Sequence, residues 1–209
     1  MQIKASMKAV LSVFLFAVLL QGCNNTTESP EGGNGSPPQF PMNTSNLPIL
    51  QINNWWNYTD GEGHHLSIQV FDTITDNKVR YYETKFSQEG VDTADDWFIQ
   101  DSTGTEYGMN LLGPYRLFLP QQLTSESGTF SSDTTHVTYT YFDSLSLANT
   151  LFRNVIHLSY AEPVVYHGFS ALDIADSIGI IRLVDSVGQE YPVVFELDSA
   201  FVGGQITRY

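Results

Sequence analysis

His65-Leu66-Ser67-Ile68-Gln69-Val70-Phe71 places Leu66, Ile68 and Val70 on one side of the chain and Ser67 and Gln69 on the other. A period of two is that of a β-strand with one buried and one wet face. Val137-Thr138-Tyr139-Thr140-Tyr141 repeats the pattern farther along. Working outward, the same reading predicts strands at residues 49–58, 79–86, 97–100, 107–112, 115–119, 154–160, 164–169, 178–184, 191–197 and 201–207. Turn signals separate them: Asp60-Gly61-Glu62-Gly63, Asp76-Asn77, Ser102-Thr103-Gly104 and Ser186-Val187-Gly188. Short strands punctuated in this way predict an all-β protein, an antiparallel meander forming a curved sheet, a half-barrel or a sandwich. Short helices are expected only at residues 91–96 and 171–177.

The two alternating stretches also head two similar series of landmarks. His65 to Ile74 aligns with His136 to Leu145, sharing the histidine and a Phe-Asp pair (Phe71-Asp72 and Phe142-Asp143). Downstream, Asp101-Ser102-Thr103-Gly104-Thr105-Glu106-Tyr107 aligns with Asp185-Ser186-Val187-Gly188-Gln189-Glu190-Tyr191. A duplicated meander, residues 49–120 and 126–209, follows from the matching order. The second spacing is longer than the first, and the extra length is expected near residues 148–160. Asp-Ser-x-Gly supplies turns, the glycine taking φ > 0 and the polar side chains capping local amides.

Composition bounds the function. The 209 residues carry 9 Lys+Arg against 23 Asp+Glu, a formal net charge of −14. That balance argues against nucleic-acid binding, which needs a basic surface. A hydrophobic fraction of 42% can build a core and excludes a disordered acidic tail. A single cysteine, Cys23, excludes an internal disulfide framework and any multi-cysteine metal site.

That cysteine closes an N-terminal signal. Lys4 and Lys8 precede an apolar run from Ala9 to Leu20, too short for a membrane-spanning helix, which needs about 20 residues, and suited to a secretory h-region. The run ends in Leu20-Gln21-Gly22-Cys23, which resembles the lipobox of bacterial lipoproteins, with Gln21 where a small residue is commonest. The resemblance implies cleavage after Gly22 and lipidation of Cys23, the diacylglycerol on its sulfur. Residues 1–22 are then the signal peptide. The mature chain has 187 residues (209 less 22), and loss of the two lysines takes its charge to −16. An acidic body is repelled by anionic phospholipid, so lipid alone would hold it to the membrane. Asn24 after the cysteine is not an acidic retention signal, which by the same resemblance points to the outer membrane. Residues 23–46, rich in Pro, Gly, Ser, Thr and Asn, read as a flexible tether to a β domain over 47–209.

Near the C-terminus, Ile174 to Leu183 followed by a turn and the strand ending Glu196-Leu197-Asp198-Ser199 resembles the end of bacterial envelope β lipoproteins, with Ser177 where their motif has its first glycine. Leu119-Pro120 and Phe152-Arg153-Asn154-Val155-Ile156 fit the same layout. This resemblance implies a curved antiparallel sheet or open half-barrel, broadly like the lipoprotein-localisation-factor fold, whose concave face can hold acyl chains.

Chemistry-bearing patterns are sparse. The sequence has no G-x-S-x-G and no H-E-x-x-H. No catalytic residue and no cofactor is assigned. His65 and His136 read as strand-end residues, and His157 and His167 as a pair that could meet across adjacent strands. Calcium is the best-motivated cation, with Asp92, Asp95 and Asp96 as candidate ligands in one loop and Asp60 and Glu62 in another. Trp55, Trp56 and Trp97 are the candidate ligand-binding aromatics, and adjacent Trp55 and Trp56 must point to opposite faces. The expected function is a non-catalytic binding or scaffold role on the envelope, its ligand a protein, a glycan or an apolar molecule. The alternatives are carriage of an apolar or acyl ligand in a half-barrel, and a hydrolase acting on glycans or lipids. A filled core with exposed aromatics would favour recognition, and an apolar-lined pocket would favour carriage.

Overall fold

A computed structural model describes residues 40–44, 47, 50–100, 104–108, 111, 116–132, 135–161, 169–186 and 192–209, without the side chains of 92–95, 116, 117, 132 and 135. It contains fifteen strands and, among the described residues, no α-helix. They are β1 (Met42–Asn43), β2 (Trp55–Thr59), β3 (His65–Asp76), β4 (Val79–Gln88), β5 (Val91–Gln100), β6 (Gly104–Gly108), β7 (Arg116–Pro120), β8 (Gln122–Leu123), β9 (Ser127–Ser132), β10 (Thr135–Leu147), β11 (Thr150–Tyr160), β12 (Phe169–Ala175), β13 (Gly179–Asp185), β14 (Val193–Val202) and β15 (Gln205–Arg208). The main sheet is antiparallel throughout and runs β7-β6-β5-β4-β3-β2-β14-β13-β12-β11-β10-β9, with β15 paired to β14. Its end strands β7 and β9 lie against each other. The sheet is a barrel closed except for that seam.

The period-two pattern has its expected cause. Trp56, Tyr58, Leu66, Ile68, Val70, Phe86 and Phe98 line the inside of the first meander. Val137, Tyr139, Val155, Ile156, Leu158, Leu172 and Ile174 line the second, and all belong to one continuous cluster. The interior is packed with side chains. Two of its polar groups are paired: the Tyr58 hydroxyl donates to the Ile180 carbonyl at 3.0 Å, and the Trp56 indole N–H to the Ile178 carbonyl at 2.6 Å, whereas the buried Tyr160 hydroxyl has no partner among the described residues. Burial raises the Tyr58 phenol well above its ordinary pKa.

The two meanders have the same strand order. β2 to β7 correspond one for one to β9 to β14, and the pairing β2–β14 joins them. Both long hairpins, β3–β4 and β10–β11, point to the same end of the barrel, because β3 and β10 run in the same direction. The His65/His136 landmark therefore marks equivalent strands. The Asp-Ser-x-Gly landmark does not. Asp101–Gly104 falls between β5 and β6, whereas Asp185–Gly188 falls between β13 and β14, the counterpart of β6 and β7. Their shared residues reflect shared turn chemistry, and no inserted length is needed at 148–160, which is the β10–β11 turn and β11.

Other expectations are corrected. Residues 91–96 and 171–175 are strand and not helix, in β5 and β12. Their short apolar runs are ambiguous by period, and pairing on both sides decides for sheet. Residues 201–207 do not run straight on. Gly203 and Gly204, at φ 59° and 86°, make a two-residue turn between β14 and β15. The predicted strand 164–169 lies almost wholly outside the described residues. The segment before residue 47 is in part body. Phe40 meets the Tyr141 ring edge-on at 5.8 Å, Met42–Asn43 pairs with β8, and Thr44 donates through Oγ1 to the Pro120 carbonyl at 2.6 Å. Among the described residues no helix is long and apolar enough to cross a membrane.

The described residues between Phe40 and Asn54 form a strap at the barrel end that carries the hairpin tips. It starts at β10, passes β8 and the end of β7, and reaches β3, where Asn53 N–H donates to the Val70 carbonyl at 2.8 Å and Val70 N–H to the Asn54 carbonyl at 2.9 Å. This strap partly roofs the barrel mouth.

Candidate functional site

Beneath the strap lies an open cleft of about 520 Å³ lined by Leu47, Leu50, Gln51, Ile52, Thr73, Arg80, Tyr82 and Gln100. Mouths of β-barrels are common small-molecule sites, and this volume falls within their range of roughly 300–1,000 Å³. The floor is built by one inward-facing row: Thr73 pairs with Tyr82, and Tyr82 with buried Phe98. Arg80 and Gln100 stand two residues nearer the hairpin tip on the same face. The register shift between Val70 and Asp72 turns Thr73 inward, where unbroken alternation from Val70 would place it outside. Tyr82 packs on the core below, and Leu47, Leu50 and Ile52 form the wall from the strap. Arg80 is exposed and, among the described residues, is the only formally charged one of the lining. Among the described residues its guanidinium has no acidic partner.

The tryptophans divide. Trp56 and Trp97 are buried, at 1% and 8% exposure, and are core. Trp55 is half-buried on the outer face, where its ring stacks on Phe201 with centroids 6.3 Å apart and planes at 15°. That row continues through Gln69 to Lys85, whose ammonium sits 4.8 Å from the Phe71 ring centroid. Beside it is a smaller cleft of about 280 Å³ containing Asn57, His65, Ser67, Ser87 and Asp198.

The calcium reading loses its geometry. Asp92, Asp95 and Asp96 belong to β5 and not to a loop. Asp96 is buried and accepts a hydrogen bond from the Tyr107 hydroxyl at 3.1 Å. Burial and then this carboxylate push the Tyr107 phenol far up. The side chains of Asp92 and Asp95 are outside the described residues. In the other loop, Asp60 Oδ1 accepts from the amides of Glu62 at 2.8 Å and His64 at 3.0 Å, while Oδ2 meets His64 Nδ1 at 2.5 Å. The carboxylate caps its own turn. Among the described residues no three His, Cys, Asp or Glu side chains are grouped to hold a metal.

His157 meets Asp173 on the next strand, at 2.7 Å from Nδ1 to Oδ1. His167, its expected partner, lies outside the described residues, as does Cys23. The second Asp173 oxygen accepts from Arg182 Nε on the far side. The carboxylate is 1% exposed, its two partners about a third. A carboxylate on Nδ1 fixes an imidazole's tautomer, as in hydrolase triads. Here the same carboxylate is shared with a guanidinium, and the three residues form a charge ladder across β11, β12 and β13. His65 and His136 stand exposed at strand starts, the latter paired to Ser131 Oγ at 2.8 Å.

No protein-family model, curated protein or solved structure matches the chain. The site is therefore read from its own residues. Tyr82 is one of the aromatics that could line a sugar or acyl groove, whereas Thr73, Arg80 and Gln100 carry no such signal in the sequence. Arg80 and Tyr82 fall within the predicted strand 79–86, but the phase change at Phe71-Asp72 that brings Thr73 to their side is invisible to simple alternation.

Proposed function

We propose that this is a lipid-anchored cell-envelope protein of the outer membrane that recognises a small ligand at its barrel mouth without transforming it. Cys23 is the attachment point and residues 24–39 the tether. What carries recognition over carriage is where space lies: the barrel interior is filled by side chains, and an open cleft of about 520 Å³ lies at its mouth between the strap and the β3–β4 hairpin. A carrier of acyl chains needs an apolar hollow, and the interior is occupied. The lining pairs a cation and hydrogen-bonding groups with an apolar wall, as in orienting ligand sites.

Two measurements test this. Radiolabelled palmitate should enter the wild-type protein and not Cys23→Ser, which should leave the membrane fraction. Unlabelled wild-type protein would refute the anchor. Native mass spectrometry of the detergent-extracted protein should show a small-molecule adduct that Tyr82→Ala removes. An adduct indifferent to that change would place binding elsewhere.

A further inference from the structure

We infer that the mouth cleft takes an acidic saccharide, a uronic acid or a chain ending in one, with its carboxylate on Arg80. The inference rests on the recognition reading above and names the ligand class. Arg182 has a carboxylate within reach, that of Asp173. Arg80 has none among the described residues, and it lines an open cleft of about 520 Å³ in which no acid joins it among the described residues. A planar guanidinium is the side chain best shaped to grip a carboxylate through two parallel hydrogen bonds.

The remaining lining selects among anions. Thr73, Tyr82 and Gln100 bring hydroxyls and an amide to the floor, where ring hydroxyls of a sugar find partners. Leu50 and Ile52 opposite, with the Tyr82 ring, give apolar surface for the C–H face of a pyranose. A fatty acid would make no use of the Thr73 and Tyr82 hydroxyls. Inorganic phosphate would leave the apolar wall unused and finds one cation where several donors are usual. The strongly acidic body repels anions at long range, so affinity must come from these short contacts.

The test uses the full lipoprotein in detergent micelles, with glucuronate, glucose and acetate as probes titrated by calorimetry or ligand-observed NMR. Glucuronate should bind with a dissociation constant in the millimolar range or tighter, and glucose and acetate at least about tenfold more weakly. Arg80→Gln should weaken glucuronate about tenfold at unchanged melting temperature, since the side chain is exposed and makes no ion pair among the described residues. Tyr82→Phe should cost a few-fold. Glucose or acetate binding as well as glucuronate overturns the inference, as does Arg80→Gln binding unchanged or no saturation by glucuronate up to about 10 mM. The adduct of the extracted protein separates the two levels. If it is present and lost on Tyr82→Ala while glucuronate fails, the ligand class is wrong and recognition at the mouth stands. If no adduct depends on Tyr82, both fall.

Discussion

A methyl group added at Gly179 would sit 3.0 Å from the Trp56 ring, on a backbone at φ 98° that L-residues rarely adopt. The indole cannot back away, because its N–H is bound to the Ile178 carbonyl one residue earlier. Gly179→Ala should therefore cost about 3 kcal/mol from strain and overpacking together. Gly203→Ala has a similar φ sign with open space around it and should cost about 1 kcal/mol. Urea denaturation followed by tryptophan fluorescence checks both, and equal losses would remove the close approach as the cause. The Asp60–His64 pair gives a second prediction at this scale. The hydrogen bond from His64 holds the Asp60 carboxyl below 3.8, and the same bond holds His64 above 6.5. The raised imidazole contributes stability below 6.5 that is lost as pH rises through its folded value. The lowered carboxyl contributes above 3.8 and is lost as pH falls through its own folded value, so the pair is strongest between the two. NMR titration of His64 should give a midpoint above 6.5, and Asp60→Asn should return it toward that value while its oxygen still caps the turn.

Between residue and fold, the hairpins and rungs decide stability. Asn77 and Lys78 both have positive φ, 48° and 71°, in the two-residue turn of β3–β4. That turn type prefers Asn-Gly, so Lys78→Gly should add about 0.5–1 kcal/mol, a rise of roughly 1–4 °C in a chain this long, read by calorimetry. The charge ladder predicts the opposite sign. Asp173→Ala leaves Arg182 and His157 without their shared carboxylate and should cost about 3 kcal/mol in chemical denaturation. Adding Arg182→Met should return part of that loss, and a double variant no better than Asp173→Ala would show that the buried carboxylate and not the pair matters. These elements also show what the sequence could carry. Strands with one wet face, such as 65–71 and 137–141, announce themselves by alternation. β5 and β12 do not, because a six-residue window of mixed apolar and acidic residues suits either period until neighbouring strands pair with it. Phe40 and Met42 stand in a polar, proline-rich stretch, and composition alone assigns them to a tether. Only the Tyr141 ring and the free edge of β8, both far away in sequence, make them part of the body. The cleft was hidden for the same reason, since Leu50 and Arg80 meet through a strap and a bulge that no local pattern encodes.

For the molecule as a whole, the decisive fact is that two meanders of equal strand order share one interior. Duplicated halves often fold as separate domains, each with its own core. Here the pairing of β2 with β14 makes the sheet continuous, and Trp56 of the first meander hydrogen-bonds to the turn before β13 of the second. Phe86 of β4 likewise packs on Phe169 of β12, with ring centroids 6.1 Å apart. Neither meander can keep its apolar face dry alone, so loss of one exposes the other. Thermal unfolding of residues 40–209 within the full chain should be a single transition whose calorimetric and van't Hoff enthalpies agree. Refolding should be slow for its size, because β2 must find β14 about 140 residues away before the barrel can close. Two resolved transitions, or a variant such as Leu172→Ala that melts the second meander while Phe98 and Tyr107 stay packed, would show that the halves are independent and that the shared core does not bind them into one cooperative unit.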